Sequence, residues 1–174
     1  PHGLSLFGKT LAAINHPKNR GEELESIEIF SVDKSGQLSH QKTISSELFD
    51  SPNAMVLIDE EKFYVGNDKD LDLSAFEKIQ EQMGRPYSSI VYFDGNDVSV
   101  AIDNLSSVSG IDLIDEDYLL ASETNGKRLA ILKRDHESGL LEKINTFSLS
   151  GSPDNIKIQD DTILVAQIPS VFAL

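Results

Sequence analysis

A chain of 174 residues is long enough for one domain, and its 39% hydrophobic and 25% charged residues are ordinary for a folded protein rather than a disordered one. Its 15 Lys and Arg stand against 29 Asp and Glu, a net charge of −14 that phosphate backbones and anionic bilayers repel, so no nucleic acid and no such membrane surface is expected as a partner. No apolar run approaches the roughly 18 residues of a membrane span, no cleavable signal stretch opens the chain, and the absence of Cys excludes disulfides, zinc–thiolate sites and thiol nucleophiles from it. The compartment stays open; the composition suits a soluble chain, and an extracellular one is allowed.

The apolar runs are short and rich in Val, Ile and Leu. In chain order they are Leu11-Ala12-Ala13-Ile14, Ile27-Glu28-Ile29-Phe30, Phe63-Tyr64-Val65, Ile90-Val91-Tyr92-Phe93, Val98-Ser99-Val100-Ala101-Ile102, Tyr118-Leu119-Leu120-Ala121, Leu129-Ala130-Ile131-Leu132 and Thr162-Ile163-Leu164-Val165. All are strand-length, and several alternate as half-buried strands do. Between them stand the turn signals Lys34-Ser35-Gly36, Asp94-Gly95, Asn125-Gly126 and Ser138-Gly139; Asn-Gly and Asp-Gly tolerate the positive φ of a tight turn. The chain therefore reads as antiparallel β. One segment differs: Ser74 to Met83 has helical composition, with Ser74 and Glu77 forming a capping box and Gly84 and Pro86 a stop. It predicts one short helix inserted between strands, with Phe76, Ile79 and Met83 on one face, as a lid or packing element.

A longer period lies over the strands. Units begin at Gly3-Leu4-Ser5-Leu6-Phe7, at Asn53-Ala54-Met55-Val56, at Ser109-Gly110-Ile111-Asp112 and at Asp154-Asn155-Ile156-Lys157. The acidic turns Asp59-Glu60-Glu61, Asp115-Glu116-Asp117 and Asp160-Asp161 follow the first strand of the last three units. Such spacing is what four strands per propeller blade require. The expected fold is an all-β propeller of about three four-stranded blades with a fourth begun, near 1–50, 51–105, 106–150 and 151–174. A β-sandwich of similar strand count is the alternative. Known propellers close with about 4–8 blades, and Pro1 and the apolar Ile168 to Leu174 give both ends the look of cuts. The missing blades are therefore expected from the rest of a longer chain or from a partner.

The first strand of each propeller blade lines the central channel, so the polar starts His2, Asn53, Ser109 and Asp154-Asn155 are expected to converge on the axis. Oxygen-bearing groups there would suit a hard cation, since calcium takes roughly 6–8 oxygen ligands. The same residues also begin strands simply because they make turns.

The strings Pro1-His2-Gly3-Leu4-Ser5, Ile14-Asn15-His16-Pro17, Asn53-Ala54-Met55-Val56, Phe63-Tyr64-Val65-Gly66-Asn67-Asp68, Tyr87-Ser88-Ser89-Ile90-Val91-Tyr92 and Ser152-Pro153-Asp154-Asn155-Ile156 resemble, in order and spacing, the serum paraoxonase/arylesterase family. The resemblance covers almost the whole chain and implies the middle portion of a six-bladed propeller with two calcium ions in its channel, hydrolysing lactones and aryl esters. By that resemblance Asn53, Asp154 and Asn155 match ligands of a catalytic calcium, and His2 matches the second histidine of a dyad that activates water. The resemblance also has departures. Ser109 stands where the family has an Asn ligand, Ala54 where it has an Asp of the structural calcium site, and Lys69 where a His is common. His16 is read as structural, while His40 and His136 are placed in polar turns.

The implied function is a calcium-dependent hydrolase acting on a small-molecule ester or lactone. A non-catalytic propeller that has lost metal ligands is the alternative, favoured by Ser109 and Ala54. A gluconolactonase-type or strictosidine-synthase-like propeller is a third reading.

Overall fold

The computed structural model describes residues 3–20, 22–69 and 74–169. Their strands form three four-stranded antiparallel sheets and one hairpin, each built from consecutive strands. The first sheet holds β1 (Leu4–Phe7), β2 (Thr10–Asn15), β3 (Ser26–Val32) and β4 (Leu38–Ser45). The second holds β5 (Pro52–Leu57), β6 (Phe63–Asn67), β7 (Ser88–Phe93) and β8 (Val98–Leu105). The third holds β9 (Val108–Leu113), β10 (Tyr118–Glu123), β11 (Arg128–Arg134) and β12 (Leu141–Ser148), and the hairpin is β13 (Ser152–Gln159) with β14 (Thr162–Ile168). The first strands β1, β5, β9 and β13 lie side by side in succession, as the inner strands of propeller blades do.

Apolar periodicity explains how the sheets stack. In the second sheet Met55, Leu57, Phe63, Val65, Val91 and Phe93 pack toward the first sheet. Their alternating neighbours Ala54, Val56, Tyr64, Ile90 and Tyr92 pack toward the third. A strand buried on both faces needs apolar residues along its length, which is why Phe63, Tyr64 and Val65 of β6 are fully buried while Ser99, Val100, Asp103 and Asn104 of the outer strand β8 are exposed. The register sets Phe63 opposite Phe93 and Tyr64 opposite Tyr92, and both pairs stack, with centroids 4.9 and 4.8 Å apart. Burying a side chain such as Phe63 contributes about 1.5–3 kcal/mol.

At one end of the stack, side chains of the second strands fasten the connections between sheets. Buried Asn67 donates to the Leu48 carbonyl and accepts from the Ser51 N–H. At the corresponding place in the third sheet, fully buried Glu123 accepts from the Ser106 N–H and is ion-paired to Arg128 and Lys143. Burial pushes the Glu123 carboxyl up, but the hydrogen bonds and charges of Arg128 and Lys143 outweigh it and hold the group below its ordinary value.

The inserted helix is present as α1 (Ala75–Gln82). Ser74 caps it, with its N–H and hydroxyl donating to Glu77 Oε2 at 2.9 and 2.6 Å. Its expected packing face is not covered by the described residues: Phe76, Ile79 and Met83 are exposed. Two further expectations are corrected. His40 lies within β4 rather than in a turn, paired opposite Phe30, because the ladder continues past the bulge at Ile29/Phe30 as far as Val32 and Leu38. In the Asn125-Gly126 turn the positive φ falls on Lys127 (49°), not on the Asn-Gly pair. Among the described residues no helix is long and apolar enough to cross a membrane.

Candidate functional site

Strand register makes Asn53, Ser109 and Asp154 equivalent. Each follows a residue paired at or next to the end of its sheet's second strand: Pro52 with Asn67, Val108 with Glu123, Pro153 with Gln167. A bulge at each pairing displaces the next residue from the ladder, a device that re-aims side chains near sites. Asn53 and Asp154 are half-buried, Ser109 is buried and Asn155 is exposed.

Two glycines let these strands close up. A Cβ on Gly3 would sit 2.8 Å from the Asn53 carbonyl oxygen, and one on Gly110 would sit 2.6 Å from that of Asp154 and 2.9 Å from the Ile156 nitrogen. Both neighbours are backbone and have little room to retreat. The inner strands bound an open groove of about 600 Å³ whose lining includes Leu4, Met55, Ile111 and Ile156. A smaller cavity of about 160 Å³ at the rim reaches Ala54, Gly110 and Asn155. The groove mixes apolar side chains with Ser5, Asp112 and Lys157, and of the candidate residues Asn155 borders the smaller cavity; a concave surface of this mixed kind can hold a small ester.

The rim side chains are held by partners fifteen residues further on. The Asn53 amide nitrogen donates to Asp68 Oδ2 at 3.1 Å. Because a carboxylate only accepts, this fixes the amide orientation and leaves Asn53 Oδ1 as an acceptor. Asp68 Oδ1 accepts from the Ser51 hydroxyl at 2.6 Å, Ser51 in turn accepts from Arg20, and Arg20 pairs with buried Glu25 at 2.7 Å. His16 Nδ1 meets the other Glu25 oxygen at 2.6 Å, which gives this histidine a role in the polar network. In the third sheet the Thr124 hydroxyl oxygen lies 2.8 Å from Ser109 Oγ and 2.6 Å from the Pro153 carbonyl.

The donors at Asn53, Ser109, Asp154 and Asn155 are all oxygens, including one carboxylate, and this chemistry fits a hard cation. Among the described residues no three His, Cys, Asp or Glu side chains gather as a metal cluster, so amide and hydroxyl oxygens would have to supply most of any such site. His2 lies outside the described residues. Sequence reading missed the roles of Asp68 and Thr124; the signal was their common offset of fifteen from Asn53 and Ser109.

A family model described as arylesterase matches residues 1–174. Rat serum paraoxonase/lactonase 3 is 27% identical over 93% of the chain and 46% of its own length. Bovine serum paraoxonase/arylesterase 2 is 26% identical over 91% of the chain and 45% of its own length. The chain spans about half the length of these relatives. Among solved structures, a Bacteroides fragilis protein proposed to be a 6-phosphogluconolactonase superposes with a TM-score of 0.61 at 16% identity, covering 96% of this chain and 50% of that one. A luciferin-regenerating enzyme gives 0.59 at 11%, covering 95% and 68%. These two likenesses concern the fold.

Proposed function

The chain belongs to the arylesterase family, and on that premise we propose that it is part of a calcium-dependent hydrolase of lactones or aryl esters built on a six-bladed propeller. Exposed apolar residues on β1 and β14, among them Leu4, Leu6, Ile163 and Leu164, are the surfaces further blades would cover, and they support reading the four units as part of a ring.

The observation that carries the reading is the rim geometry of Asn53, whose amide nitrogen is committed to Asp68 so that the amide presents an oxygen. Asn53, Asp154, Asn155 and Ser109 would hold the cation, with Asp154 supplying the charge. Bound there, calcium would polarise the ester carbonyl and stabilise the developing oxyanion as a Lewis acid. The chain's own part is to fix these oxygens before substrate arrives, through Asp68 and the close strand approach at Gly110. The groove below would hold the apolar part of the ester. His2 would support the general base that takes a proton from the attacking water.

Calcium titration by calorimetry on the full natural chain, beside a lactone hydrolysis assay, tests the reading. Binding with activity, both abolished by Asp154→Ala, is expected. A folded full chain that binds no calcium would leave the second reading, a propeller without catalysis. That reading is favoured by Ser109, whose hydroxyl is shorter and a poorer donor than an amide oxygen, and by Ala54, a methyl group at a family carboxylate position.

A further inference from the structure

The Thr124 hydroxyl touches two oxygens, Ser109 Oγ at 2.8 Å and the Pro153 carbonyl at 2.6 Å, yet it has one hydrogen. The carbonyl can only accept, so that hydrogen belongs to the shorter contact with Pro153, and Ser109 must donate its own hydrogen to Thr124. The order of donation leaves the Ser109 oxygen with no hydrogen to offer and its lone pairs available. It has become an acceptor, as Asn53 Oδ1 has through Asp68.

The two arrangements occupy equivalent places. Asp68 and Thr124 each follow the last residue of a second strand, Asn67 and Glu123. Each backbone N–H donates to the carbonyl of the corresponding serine, Ser51 or Ser107, at 2.9 Å. Each then reaches the rim residue of its own sheet. The Thr124 hydroxyl goes further, because Pro153 directly precedes Asp154 on β13. One side chain thus links Ser109 to the start of the neighbouring strand.

We infer that Thr124 is a positioning residue: it commits the Ser109 hydrogen and holds β13, so that Ser109 and Asp154 present oxygens together to a hard cation. The inference rests on the calcium reading above. It accounts for how a serine can serve there: the Ser109 oxygen is already committed as an acceptor, so none of the binding free energy is spent on turning the hydroxyl when the cation arrives.

The test is calcium titration by calorimetry on the full natural chain and on Thr124→Val, Thr124→Ser, Ser109→Ala and the Ser109→Ala/Thr124→Val pair, with thermal unfolding in chelator beside it. Thr124→Val is expected to weaken calcium binding by about tenfold or more, the usual scale for a partner that orients a ligand. Thr124→Ser should restore binding, and unfolding of the calcium-free variants should stay close to wild type. Once Ser109 is Ala, Thr124→Val should cost less than it does alone, keeping only the part that acts through Pro153 and Asp154. Wild-type affinity in Thr124→Val, or failure of Thr124→Ser to restore it, overturns the positioning role and leaves the calcium reading standing. Absence of binding in the wild type overturns both. Should Thr124→Val fail to fold, Ser109→Ala decides, because unchanged affinity there removes the ligand that Thr124 is said to position.

Discussion

Glu123 and Ser106 are joined across the connection between the second and third sheets, where the Ser106 N–H donates to Glu123 Oε2 at 3.0 Å. The same carboxylate is paired with Arg128 at 2.5 Å and with Lys143 at 2.9 Å while being fully buried. Taking the carboxylate away would leave the buried Ser106 N–H without its acceptor, while Arg128 and Lys143 keep part of their side chains in solvent. Leaving a buried donor unsatisfied costs about 1–3 kcal/mol. Glu123→Ala should therefore lower stability by an amount of that order in urea unfolding, without a change in m-value. A loss below about 1 kcal/mol, the scale of an exposed pair, would show that the clamp does not hold the sheets.

The same group predicts a pH dependence. Burial raises the Glu123 pKa, but the hydrogen bonds and charges of Arg128 and Lys143 bring it below the ordinary 4.5. A group whose folded pKa is depressed contributes stability that is fully present above the unfolded value and is lost as pH falls through the folded one. Wild-type stability should thus fall with a steeper slope below pH 4.5 than that of Glu123→Gln, with the two slopes converging above it. Parallel acid limbs would assign the acid sensitivity to other carboxylates.

The strands, their antiparallel order and the inserted helix were legible because each has a local cause. Val- and Ile-rich runs of strand length stand between Gly and Asp turns, and Ser74 with Glu77 forms a capping box. What could not be read locally is what bulges do. Pairing that continues past the shift at Ile29/Phe30 keeps His40 inside a strand, and the shifts at Pro52/Ala54 and Ser122/Glu123 displace Asn53 and Ser109 from the ladder. Composition does not announce a one-residue slip. Asn53, Ser109 and Asp154 were legible as polar starts of a repeated unit, but their hydrogen-bond partners belong to the second strand and follow from register. The expected packing face of the inserted helix is exposed at Phe76, Ile79 and Met83, and Met83 lies beyond the end of α1.

Gly110 marks a close approach of β9 to β13. A Cβ there would meet the Asp154 oxygen at 2.6 Å, the Ile156 nitrogen at 2.9 Å and Ser122 Oγ at 2.9 Å. Two of the three are backbone atoms of the strand that carries Asp154. Gly110→Ala is expected to cost about 1–3 kcal/mol, as overpacking does, and to weaken calcium binding by separating Ser109 from Asp154. Unfolding and calorimetry on the same sample check both. A stability loss with unchanged affinity would mean that the strand spacing does not govern the rim.

Asp68 offers the sharpest separation of charge from geometry. Its Oδ2 accepts from the Asn53 amide and its Oδ1 from the Ser51 hydroxyl, so it commits both groups as donors. Asp68→Asn keeps the shape but puts an amide nitrogen in place of one accepting oxygen. If that nitrogen faces Asn53, the Asn53 amide must turn and lose its outward oxygen; if it faces Ser51, the hydroxyl must reverse and become an acceptor. The first choice should weaken calcium binding about tenfold, on the scale of other outer partners of ligands. The second should leave affinity almost unchanged, since Ser51 can accept from the introduced amide while it also accepts from Arg20. Asp68→Ala removes the acceptor altogether, frees the Asn53 amide to turn and should bring the loss. Full affinity in Asp68→Ala would show that Asn53 does not need Asp68 to present its oxygen.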